Sequence, residues 1–247
     1  MFGEEEWRIV ENASAENRQL GGVVRRLEGV YGGNPPFDWQ EPWWRRLDVL
    51  GQQLGIEHEA NGLIRKFEGA DYEVGGDEHL VIRVESQPDR VYKMTHGECF
   101  GCRPYFSRFD PDGAGKHFHG SINEDPVFYL KRWMLLNHLG EYQTRFFEGW
   151  LPPDGNLRVP RICISQPMIE SPNPSRSEIR QALEAFGFRC ISLDAYLNFE
   201  TRILLTDAAP RNVRIVNGAI ALFDAIACIA SDETAAWAEE TSGFKEL

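Results

Sequence analysis

The chain has 247 residues, 42% of them hydrophobic, with seven tryptophans and fifteen phenylalanines; it can bury a core, which excludes a disordered chain and leaves room for one sizeable domain or two small lobes. A formal net charge of −12 argues against nucleic acid or an anionic membrane as the main partner. No stretch approaches the roughly 20 apolar residues of a membrane span, the N-terminal Met-Phe-Gly-Glu-Glu-Glu lacks a signal-peptide pattern, and five scattered cysteines suit a reducing compartment, so a cytoplasmic protein is expected.

Residues 1–62 read as a helical extension separate in character from the rest. Ser14 is placed to cap a helix running to about Tyr31, with Val23, Val24, Leu27 and Val30 along one side. Asn34-Pro35-Pro36 breaks it, and a second helix is expected from Pro42 to Leu54, stopped by Gly55. From Leu63 the pattern turns to strands: Leu63 to Phe67, Tyr72 to Val74, then Gly75-Gly76, and Leu80, Ile82 and Val84 alternating with polar neighbours. Gln87-Pro88-Asp89 turns the chain back into Arg90-Val91-Tyr92-Lys93-Met94. A two-residue loop at Pro88-Asp89 sets Val84 opposite Lys93, and puts the lysine on the apolar face of Leu80 and Ile82. There an ammonium is costly unless an anion meets it.

Residues 96–124 are rich in glycine, aspartate and aromatics and contain His96, Cys99, Cys102, His117 and His119. The Cys-x₂-Cys spacing suits half of a zinc site, but no second such pair exists and His-x-His is tight for a structural site, so thiols without metal are expected. Asp125-Pro126 starts a helix over 125–139 that Gly140 stops, with Val127, Leu130, Trp133 and Met134 as a core stripe. Strands follow at Tyr142–Phe147 and Arg161–Gln166, then a strand exit at Gln166-Pro167-Met168. Ser175-x-x-Glu178 is a capping box for a helix ending at Gly187, with Ile179, Leu183 and Phe186 inward.

The densest stretch is 203–226, where Asp207, Asn212 and Asp224 interrupt apolar runs. Asn217-Gly218 supplies the positive φ angles of a two-residue hairpin turn, and pairing outward sets Val216 beside Ala219 and Asn212 beside Phe223. Asn212 and Asp224 then leave the same end of one hairpin, close enough to share a cation. An amide oxygen and a carboxylate are hard ligands suited to Mg²⁺, and Asp207, one loop away, is placed to accept a hydroxyl proton.

Asp-x₄-Asn, a hairpin and an Asp resemble the catalytic loop and metal-binding Asp of protein kinases. The nearest likeness is the compact serine/threonine/tyrosine kinase domain of polyvalent proteins from phages and mobile elements. It is carried by Gly-Gly-Asp-Glu-His (75–79), Val-Tyr-Lys (91–93), Tyr-Leu-Lys-Arg (129–132) with Asn137, Gln166-Pro167, Glu178-Ile179 to Gly187-Phe188, and Asp207 to Asp224. The resemblance implies an α+β, bilobal protein-kinase-like fold: an N-lobe over 63–166 and a reduced C-lobe over 167–247. It gives Lys93, Gly75, Gly76 and Met168 to ATP, Asn212 and Asp224 to Mg²⁺, and Asp207 to the acceptor hydroxyl of a protein or small molecule. The chain departs from the family pattern in four places. The mid-helix position expected to hold a Glu for Lys93 reads Tyr129-Leu130-Lys131-Arg132; Leu205-Thr206 and Ala209 stand around Asp207; Ala225-Ile226 follow Asp224; and 23 residues remain after it. Two alternatives stay open beside a protein kinase: a pseudokinase that binds nucleotide or protein, and a small-molecule kinase of the aminoglycoside or choline type.

Overall fold

The computed structural model describes residues 3–31, 71–75, 78–95, 100–107, 117–122, 125–150 and 161–241. The expected helix at 42–54, the strand at 63–67, Gly76, His96 and Cys99 lie outside the described residues. The architecture is α+β with antiparallel sheets. No helix among the described residues is long and apolar enough to cross a membrane.

Two helices come first, α1 (Glu4–Asn12) and α2 (Ala15–Tyr31). Ser14 caps α2 as expected, its Oγ accepting the Asn17 N–H at 3.0 Å. A five-stranded sheet follows in the order β1-β2-β3-β7-β6, from β1 (Asp71–Gly75), β2 (His79–Arg83), β3 (Arg90–Thr95), β6 (Arg145–Trp150) and β7 (Arg161–Pro167). Between β3 and β6 the chain makes a hairpin, β4 (Cys102–Phe106) with β5 (Phe118–Ile122), and then α3 (Pro126–Leu139). Asp125 Oδ1 caps α3 by accepting the Val127 N–H at 2.8 Å, and Pro126 fills the first turn, where its missing N–H costs nothing. Apolar residues surround α3 because it is buried on more than one side: Leu130, Trp133 and Met134 share a core with Leu20, Val23 and Leu27 of α2 and with Ile162 and Ile164 of β7. Asn17 fixes the helix pair, giving its amide to Met134 O at 3.0 Å and accepting from Asn137 at 2.9 Å.

The second half holds a four-stranded sheet in the order β13-β10-β9-β8: β8 (Phe188–Ser192), β9 (Ala195–Asn198), β10 (Ile203–Thr206) and β13 (Ile226–Ile229). Helix α4 (Arg176–Ala185) starts on the expected Ser175–Glu178 capping box. The hairpin of β11 (Val213–Val216) and β12 (Ala219–Leu222) sits between β10 and β13, and α5 (Asp232–Thr241) ends the described chain.

Two expectations are corrected. Lys93 pairs with Val81, not Val84. Two successive turns, Gln87 N–H to Val84 O at 2.8 Å and Arg90 N–H to Gln87 O at 3.1 Å, lengthen the loop and slide the register by three residues. An odd slip reverses the faces. Leu80, Ile82, Tyr92 and Met94 therefore cluster on one side of the sheet, and Lys93 projects from the other. Phe186, expected inward, is 51% exposed: α4 ends at Ala185, the helical period stops there, and Phe188 takes the core position.

Candidate functional site

Asp207 follows β10 in the left-handed region at φ 51°, a conformation that costs about 1–2 kcal/mol for an L-residue with a Cβ and must be held from outside. Asn212 holds it, its Nδ2 donating to Asp207 O and Oδ2, each at 2.8 Å. Both partners are acceptors, so the amide orientation is fixed and Asn212 Oδ1 is left for another group. Arg211 Nη2 donates to Asp207 Oδ1 at 2.7 Å. The hairpin is as its sequence implied: Asn217 and Gly218 have φ 53° and 85°, and Val216 faces Ala219. It returns the chain so that Asp224 N–H donates to Asn212 O at 3.3 Å. Asp207, Asn212 and Asp224 line one cavity of about 410 Å³, together with Glu78 and His79 from the start of β2.

Lys93 reaches this cluster from β3. It is 6% exposed, and Nζ donates to Asp224 Oδ1 and Phe223 O, both at 2.9 Å. The acid partner that α3 lacks is therefore Asp224, while Asp125 caps the helix. The α3 position instead carries a buried cation. Arg132 is 1% exposed. Its Nη1 donates to Glu78 Oε1 and Oε2, both at 3.0 Å; Nη2 donates to Asp224 O and Nε to Ala225 O, each at 3.0 Å. Glu78 also accepts the Cys102 N–H at 2.8 Å. His79 Nε2 shares a hydrogen bond with Tyr129 Oη at 2.9 Å.

Burial pulls Glu78 and Asp224 toward their neutral forms, but Arg132 beside the first and Lys93 beside the second outweigh it and hold both carboxyls below the usual range. Burial pushes the His79 imidazole down to about 4, although Asp224 and Glu78 favour its charged form. Donor atoms of Glu78, His79 and Asp224 lie within 4.8 Å of one another, a spacing that a metal could bridge. Lys93 and Arg132 already neutralise the two carboxylates, so an ion bound among those three would face two fixed cations. Asn212 and Asp224, the pair expected from the sequence to share a hard cation, both line the cavity, and the Asp224 side chain is 35% exposed.

Other sequence candidates fall elsewhere. Gly75 ends β1 opposite His79. Met168 lies just past β7, its N–H donating to Asp89 O at 2.7 Å, and is not among the cavity-lining residues. His117 Nδ1 sits 3.3 Å from Ser107 O with its ring against Trp237, and His119 pairs with Tyr105 across the β4–β5 hairpin. Sequence reasoning missed Glu78, His79, Tyr129 and Arg132 as site residues. The available signal was an arginine beside Trp133 in a helix otherwise apolar on most sides: a buried guanidinium needs an acid. Comparisons with models of known protein families, with curated proteins and with solved structures returned no match.

Proposed function

We propose that the protein is an ATP- and Mg²⁺-dependent phosphotransferase on a two-lobed, protein-kinase-like plan, with a protein or small-molecule hydroxyl as acceptor. The observation that carries this reading is the meeting of Lys93 and Asp224, 131 positions apart, at 2.9 Å, with Asp207 and Asn212 along the same cavity as Asp224. The roles follow from the donor chemistry. Asn212 Oδ1 and Asp224 would hold Mg²⁺, which supplies charge neutralisation for the transferring phosphate. Lys93 would exchange Asp224 for phosphate oxygens, and Gly75 and Gly76 would cover them. Met168, whose N–H is taken by Asp89, would lie beside the nucleotide base. Asp207 orients the acceptor hydroxyl and takes its proton as the new O–P bond forms and the bond to the leaving diphosphate breaks.

A second reading, a nucleotide- or protein-binding module without catalysis, is favoured by one feature. Each acid already has an internal cation: Asp224 with Lys93, Glu78 with Arg132, and Asp207 with Arg211. Thermal melting with ATP, with Mg²⁺ and with both tests binding, because a ligand at a hundred times its Kd stabilises by about 2.7 kcal/mol. Release of labelled phosphate onto the protein itself, generic proteins, aminated sugars or choline tests transfer. Stabilisation without transfer selects the nucleotide-binding module; neither effect refutes both the phosphotransferase and the nucleotide-binding module.

A further inference from the structure

We propose that Arg132 is a positioning residue that aims the Asp224 carboxylate at the cation site; this rests on the phosphotransferase reading, through which alone Arg132 acts on the reaction. Asp224 lies in the short link between β12 and β13, outside both sheets. Its backbone bonds are the N–H to Asn212 O and the carbonyl to Arg132. Arg132 also holds the next carbonyl, Ala225 O, with Nε. Two consecutive carbonyls fixed by one planar fork determine the tilt of the peptide that carries the Asp224 side chain.

The fork itself is held at both ends. It springs from α3, whose neighbours Tyr129, Leu130 and Trp133 are all buried, and Glu78 holds its far edge through both carboxylate oxygens. The start of β4 closes over it. Gly101 has φ 71°, and a Cβ there would stand 3.1 Å from the Tyr129 ring and 3.6 Å from Arg132 Nη1. A lysine would neutralise Glu78 equally well, but its single ammonium cannot span Glu78, Asp224 O and Ala225 O in fixed directions. The geometry therefore uses what is particular to arginine. Glu78 reaches Asp224 through Arg132, so the residue that leads into β2 and the cation-binding aspartate are set by one side chain.

Two variants of the full chain test this. Arg132→Lys keeps the charge and loses the fork. Glu78→Met with Arg132→Met removes both buried charges, an exchange that cores commonly tolerate, and leaves Asp224 untethered. Mg²⁺ is titrated at saturating ATP by thermal melting, and kcat and the KM for ATP are measured at saturating Mg²⁺. In both variants half-saturating Mg²⁺ should rise about ten-fold or more and kcat should fall about 10²-fold, the scale of a misplaced catalytic group. The KM for ATP should stay within about three-fold, since Lys93 remains; this split is not expected of a merely structural residue. A folded double variant whose Mg²⁺ midpoint and kcat stay within about two-fold of wild type overturns the proposal, even if it melts lower. If Arg132→Lys does not fold, the double variant decides, and if neither folds Arg132 is structural only. A wild type that neither binds Mg-ATP nor transfers phosphate overturns the phosphotransferase reading and this proposal together; an active wild type with Mg²⁺-indifferent variants overturns this proposal alone.

Discussion

Lys93→Met removes the ammonium and keeps the length of the side chain, isolating the ion pair from packing. Breaking a buried pair from one side typically costs about 3–5 kcal/mol, because the remaining charge is stranded. Asp224 is not wholly stranded: its side chain is 35% exposed and Arg132 Nη2 remains 4.0 Å from Oδ1. Solvent and that second cation reduce the expected loss to about 2–3 kcal/mol, or roughly 4–12 °C in melting temperature for a chain of this size. Asp224→Asn strands Lys93 instead, at 6% exposure with Phe223 O and the Trp133 and Phe223 rings for company. That loss should reach the full range of about 3–5 kcal/mol. The double variant should lose about 2 kcal/mol less than the sum of the singles. Urea unfolding of the four proteins measures this coupling, and Mg-ATP titration of the same samples should show weakened binding in every variant. Additivity within about 0.5 kcal/mol would refute the ion pair as an energetic feature of the fold. Coupling with unchanged Mg-ATP affinity would keep the pair and remove it from the nucleotide site.

Three further outcomes are expected. Asp207→Asn should leave Mg-ATP affinity within a few-fold and lower phosphotransfer by about 10²–10⁴, measured by labelled phosphate incorporation; a fully active variant would show that the catalytic loop is misassigned. His79, faced by Glu78, Asp224, Lys93, Arg132 and Tyr129, is neutral in the fold with its pKa pushed to about 4, against about 6.5 in the unfolded chain. The unfolded chain therefore binds more protons between those values. His79's contribution is whole above pH 6.5 and declines by up to about 3 kcal/mol as pH falls to 4; urea midpoints across that range should be flatter in His79→Gln, and parallel curves would contradict the assignment. Elemental analysis should find no zinc at Cys99 and Cys102; one zinc per chain, lost with unfolding in Cys102→Ser, would reverse this.

What the sequence made legible was what short stretches determine alone. Asn217-Gly218 dictates its turn, the turn dictates the register, and the register carries Asn212 and Asp224 to the same end of the hairpin, all within about a dozen residues. The caps at Ser14, Asp125 and Ser175 are equally local. The β2–β3 register was not legible, because Pro88-Asp89 is compatible with one tight turn or with two in succession, and the choice between them reverses every side chain on the strand. The need of Lys93 for an anion held even so, since burial on either face imposes it. The identity of that anion depended on contacts across 54 to 131 positions, for which no spacing rule exists. Charge continuity supplies the missing logic. Asp224 takes Lys93, and its main chain then needs a donor from α3. An acid on that turn of α3 would repel Asp224, whereas Arg132 satisfies Asp224 O, Ala225 O and Glu78 at once. Lys93, Asp224, Arg132 and Glu78 thus alternate in sign across the site, and reversing only the helix charge, as in Arg132→Glu, should unfold this region.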